Sequence, residues 1–176
     1  MGDRVPDFIV CLVVRLATRF IQKRHNRFYR LGRELAPEEL GFLAEFFPAE
    51  VLHSVRLVRR QMPVPWFYRY LPAVGFLNLL DFADIAAITF LDTVVHPDPL
   101  SRDVLFHELV HVVQYRELGL AGFADRYVRG FLAGGSYEDI PLEQQAHELD
   151  ARFRREPEVK FSVLADVRQK LAYGRL

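Results

Sequence analysis

Residues 104–115 read VLFHELVHVVQY, and no other stretch restricts the fold as much. Leu105, Phe106, Leu109, Val110, Val112 and Val113 place apolar groups around most of the helical circumference, which predicts a core helix. Yet His107, Glu108 and His111 interrupt that apolar run. Burying such groups costs free energy unless distant parts of the chain, or a bound ion, satisfy them. The fold must therefore deliver polar partners to this helix.

Residues four apart on a helix project the same way, about 6 Å apart along the axis. His107 and His111 can thus offer two neutral imidazoles to one zinc ion at about 2.0–2.1 Å. Glu108 faces the same cleft without being placed to ligate, as a general base for zinc-bound water should. The alternative reading is a pair of core histidines satisfied by ordinary hydrogen bonds.

A hydrolytic zinc site needs a third protein ligand and one open position. An HxxGxxH continuation is absent, because VVQYRELGL follows His111. The next strong helix, PLEQQAHELDARFRRE (141–156), is opened by Pro141, bounded by Pro157, and offers Glu143, His147, Glu148 and Asp150. Glu143, Ala146, His147 and Asp150 share one face, whereas Glu148 points about 140° away from Glu143. Ala146 permits a close approach to the HELVH helix. Asp150 suits the second nitrogen of His107 or His111, and His147 suits a partner that orients a ligand.

With AAITFLDTVV (86–95), HELVHVVQY (107–115) and IPLEQQA (140–146) in that order, the chain resembles the gluzincin class of zinc metallopeptidases. The likeness is to the small single-domain minigluzincins and related peptidase-like domains often found in bacteria, and it covers about residues 85–155. It implies a zincin-like core in which His107, His111 and Glu143 ligate Zn2+ and Glu108 activates water. It also implies a peptide or protein substrate laid along the strand at 86–95 by strand addition. The wide interval between His111 and Glu143 keeps Glu148 and Glu138 open as ligands. An oxyanion donor is also required. Tyr137 is the first candidate, with Tyr127, His147 and His96 as others.

The remaining chain predicts a mainly helical α+β domain spanning 1–176, with a small antiparallel sheet. Its parts are N-terminal helices, strand and aromatic loop (1–84), the metal-site core (85–156) and a closing helix (157–176). The first helix carries Arg15, Arg19, Lys23, Arg24, Arg27 and Arg30, with no acid between Phe8 and Arg33. We read this as a solvated face; peripheral membrane contact through 8–33 is the less favoured reading. Residues 37–47 predict a helix, 51–60 a strand, and QMPVPWFYRYLP (61–72) an irregular packed loop able to serve as a flap or pocket wall. Gly119 ends the HELVH helix, and 121–133 predicts another, stopped by Gly134-Gly135.

The 23 basic and 23 acidic residues balance, so bulk charge points to no nucleic-acid partner. Cys11 is the single cysteine, which excludes an internal disulfide and a thiolate cluster. FIVCLVV (8–14) is too short and wrongly flanked for an export signal or membrane span, so a cytoplasmic location is expected. A non-catalytic zinc-stabilised module, binding a protein through 61–72 or its basic helix, is the rival to a zinc hydrolase.

Overall fold

In chain order the elements are α1 (Asp7–Phe28), α2 (Pro37–Leu43), α3 (Ala49–Ser54), β1 (Arg56–Arg59), β2 (Ile88–Phe90), β3 (Thr93–His96), α4 (Arg102–Gly134), α5 (Pro141–Arg155) and α6 (Val163–Ala172). The computed structural model describes residues 5–79, 81–82, 84–174 and 176. The class is α+β and mainly helical, as the sequence predicts.

The sheet departs from expectation in two ways. Its order is β1-β3-β2, with β3 antiparallel to β2 but parallel to β1, so the sheet is mixed. The run at 86–95 is also not one strand. Phe90 pairs with Thr93, leaving Leu91 and Asp92 as a two-residue turn in which Leu91 takes a left-handed φ of 61°. His25, to which the sequence assigned no role, secures that turn from α1 through a 2.8 Å contact between Nε2 and Asp92 Oδ1.

The strand expected over 51–60 is half helix. Pro48 leads into α3, and Val51, Leu52 and Val55 are buried while His53 is exposed. That spacing is helical, and only Arg56–Arg59 joins the sheet. The apparent alternation of Val51, His53, Val55 and Leu57 arises where two different periods meet. Within the aromatic stretch, a 3₁₀ helix at Tyr68–Val74 follows an irregular start and ends at Gly75 with φ 97°.

α4 begins where its cap predicts, with Ser101 Oγ accepting from the Val104 N–H at 3.2 Å. Gly119, at φ 68° and ψ 165°, breaks the helical backbone and divides α4 into the two segments expected from sequence. This backbone region is essentially restricted to glycine. Gly134 permits a different close approach: a Cβ there would lie 2.0 Å from the Cβ of Asp139.

The upstream half of α4 is enclosed on nearly every side. Phe106 stacks on Phe153 of α5 at 4.4 Å, and Phe46, Phe47 and Phe161 complete an aromatic cluster around it. A second core joins Val10 and Val13 of α1 to Phe67, Leu71 and Phe76, and to Phe123, Val128 and Phe131 of downstream α4. His107, Glu108 and His111 lie between these two cores. No helix among the described residues is long and apolar enough to cross a membrane.

Candidate metal centre

The polar face of α4 meets α5 along one seam. His107, Glu108, His111 and Glu143 are each at most 7% exposed, so their partners must be supplied by the protein or by something bound to it. His107 Nε2 and His111 Nε2 are 3.1 Å apart, and each is 3.3 Å from Glu143 Oε2. A tetrahedral ion about 2.0–2.1 Å from each ligand sets ligand atoms about 3.3–3.4 Å apart. The three atoms therefore have the separations of one face of such a site.

Hydrogen bonds determine which nitrogen of each ring is available. Gln114 Nε2 donates to the Leu142 carbonyl at 2.9 Å and to Gln145 Oε1 at 3.1 Å. Its Oε1 is thereby turned to His111 Nδ1 at 2.8 Å, and that nitrogen must donate. His107 Nδ1 likewise donates to Asp150 Oδ2 at 3.1 Å, while Arg154 holds the other Asp150 oxygen at 2.7 Å. Both Nε2 atoms are left as lone pairs facing each other and a carboxylate oxygen. Such a convergence of acceptors favours a cation at its centre.

The titration behaviour of the protein alone agrees. Burial pushes the His107 imidazolium down in pKa, but hydrogen bonds to Asp150 and Glu143 outweigh it and hold the value up at about 10. Burial opposes charge on His111 too, and the Glu143 carboxylate overcomes it and raises the pKa. Burial would raise Glu143, yet the charges and hydrogen bonds of His111 and His107 hold it well below the usual carboxylate range. The cluster retains positive charge, as a proton when nothing else provides it.

Glu108 is held from the sheet. Thr89 of β2 donates through Oγ1 to Glu108 Oε2 at 2.6 Å, fixing one carboxylate oxygen beside the cluster. Sequence reasoning missed Thr89, although it is the one polar side chain in AAITF. It missed Gln114 for the same reason: each reads as an unremarkable member of an apolar run.

Two tyrosines hold the Glu143 carboxylate. Tyr137 donates to Glu143 Oε2 at 2.7 Å, and Tyr127 donates to Glu143 Oε1 at 2.8 Å. Burial first, then the Glu143 charge, pushes both phenols up in pKa, so both remain donors at neutral pH. Tyr127 thus has its hydroxyl on a carboxylate rather than in water.

The other sequence candidates lie elsewhere. Glu148 is exposed and paired with Lys170, and Glu138 is exposed on a turn. Neither joins the three-atom cluster. His96 is buried on β3 and bonds the Asp98 carbonyl through Nδ1 at 2.7 Å, closing the turn after the strand. His147 departs from the inward face expected of it, because its side chain is 52% exposed. Its ring nonetheless lies 4.6 Å from that of His107, and it forms a second possible ligand group with His107 and Asp150. Both Asp150 oxygens are already engaged, by His107 Nδ1 and by Arg154, and His147 is exposed, so the buried trio is the better built of the two.

No protein-family model matches the chain, and no curated protein or solved structure gives a significant match.

Proposed function

We propose that the protein is a zinc-dependent hydrolase of the metallopeptidase type, with His107, His111 and Glu143 as the metal ligands. The reading is carried by the mutual 3.1–3.3 Å separation of three acceptor atoms whose ring tautomers are set by Asp150 and Gln114. Two imidazoles and one carboxylate suit zinc, and three protein ligands leave a position for water or substrate. When bound there, zinc would supply Lewis acidity toward a carbonyl and a bound water with pKa near ~7.

The remaining roles belong to the chain. Glu108 takes a proton on its carboxylate and later returns it to the leaving amine, and Thr89 keeps Oε2 aimed throughout. Tyr137 and Tyr127 stay protonated and can turn a donor toward a developing oxyanion. Phe123, 6.1 Å from His111, and Tyr115 stacked on it at 3.7 Å make this side of the centre apolar. Interactions inside such a site are stronger than in water.

The test has two readouts. Purified protein should contain one zinc per chain by elemental analysis, and His107→Ala should lose it. Glu108→Gln should keep the zinc and lose cleavage across a mixed peptide library. A chain that binds no zinc defeats the proposal. The rival binding module draws support from the exposed Val64, Trp66 and Tyr70. It would be favoured by zinc-loaded protein that cleaves nothing.

A further inference from the structure

A cavity of about 220 Å³ opens beside the candidate centre. Glu108, His111 and Glu143 lie at its polar end. The hydroxyl-bearing Thr89, Tyr127 and Tyr137 also line it, and most of the remaining wall is apolar, with Ala17 and Phe20 of α1, Phe67 of the aromatic segment, Phe76 just after it, Ile88 of β2 and Phe131 of α4. An apolar protein cavity of ~150 Å³ holds benzene. This one therefore suits a group somewhat larger than a phenyl ring.

The position matters as much as the size. β2 stands at the end of the sheet, and its residues Ile88–Phe90 form one cavity wall, with α1 and the aromatic segment contributing others. A peptide added to a strand advances about 3.3 Å per residue and alternates side chains between two faces, so it needs a long open edge. A small space walled by α1, the aromatic segment, β2 and α4 suits a compact molecule instead.

We propose, on the hydrolase reading above, that this cavity receives one bulky apolar group attached to the carbonyl that is hydrolysed. The substrates are compact amides or short peptides rather than extended polypeptide segments. Specificity then resides in α1 and the aromatic segment, outside the elements that hold the metal.

Hydroxamates place a metal-chelating head and a chosen tail in the same site, so the test is calorimetric titration of zinc-loaded protein. Octanohydroxamate should bind at least ~30-fold tighter than acetohydroxamate, because burial of its methylenes drives binding. Ala17→Phe should remove that difference and leave acetohydroxamate unchanged; should it fail to fold, Ile88→Phe serves as the second variant. An alanine hexapeptide hydroxamate should bind no tighter than acetohydroxamate. Equal affinity for the two tails, an octyl gain that survives filling of the cavity, or tightest binding by the hexapeptide would overturn the proposal. If zinc does not load, the hydrolase reading fails separately. Metal-free protein titrated with N-phenyl-1-naphthylamine then reads the cavity alone: fluorescence lost in Ala17→Phe upholds it, and no fluorescence in the unaltered chain overturns it.

Discussion

Helix α4 is packed in two contrasting ways. Its upstream half meets α5 across a seam of paired polar side chains: Asp150 on His107, Gln114 on His111, and the Gln145 oxygen on Gln114. Its downstream half faces α1 across an apolar space that includes the cavity. The first seam fixes ring tautomers and the separations of the atoms that converge. The second fixes only a shape. A centre that must present lone pairs at set separations needs the first kind of contact, and a pocket that must accept an apolar group needs the second.

The contrast breaks most readily in the aromatic cluster. Phe106→Ala should cost about 3–5 kcal/mol, since the ring is fully buried and stacked on Phe153. Phe20→Ala, half-buried at the edge of an existing cavity, should cost less, because less packing is lost. Urea unfolding of both variants measures the difference, and equal costs would erase the distinction between the two seams. Zinc at about 1,000 times its dissociation constant should add about 4 kcal/mol of stability, readable as a rise of roughly 10 °C in Tm that a chelator reverses.

Asp150→Asn should weaken zinc binding by about 10–100-fold, because the carboxylate that orients His107 and raises its basicity is lost along with its pairing to Arg154. Competition with a chromogenic chelator would show this. Gly119→Ala should cost about 1–3 kcal/mol even though a Cβ there meets nothing within 4 Å, because the expense lies in the backbone alone. Thr89→Val should leave zinc affinity unchanged and lower kcat by about tenfold, as a positioning residue for Glu108 would. Unaltered kcat would remove Thr89 from the site.

pH separates the forms with and without metal. His107 in the metal-free protein titrates near 10, above its unfolded value of 6.5. Its protonation-linked stability is therefore complete below about pH 6.5 and is lost as pH rises through about 10. Zinc must displace that proton, so apparent zinc affinity should rise by about tenfold per pH unit between pH 6 and 9. Thermal melts and zinc titrations across that range should trend in opposite directions.

Much of the seam was legible because it is written in helical spacing. His107 with His111, and Glu143 with Ala146 and Asp150, are related by three- and four-residue steps that local geometry obeys. The helix break at Gly119 was legible for a similar reason, since glycine marks the position. The parallel pairing of β1 with β3 was not, because it depends on contacts between segments far apart in the chain. Nor was the hairpin at Leu91, where a branched residue occupies a backbone region usually given to glycine or asparagine. Thr89 was hidden because a threonine in a β-branched run is an ordinary strand residue until a carboxylate is found 2.6 Å from it.

The break at Gly119 places the histidines and Tyr127 on two separately aimed segments of one element. An unbroken helix would tie them to a single rotation, so any shift that moved the tyrosine would also turn the histidines. With the break between them, the segment before Gly119 sets where His107 and His111 meet Glu143, and residues 121–134 independently set where Tyr127 meets it.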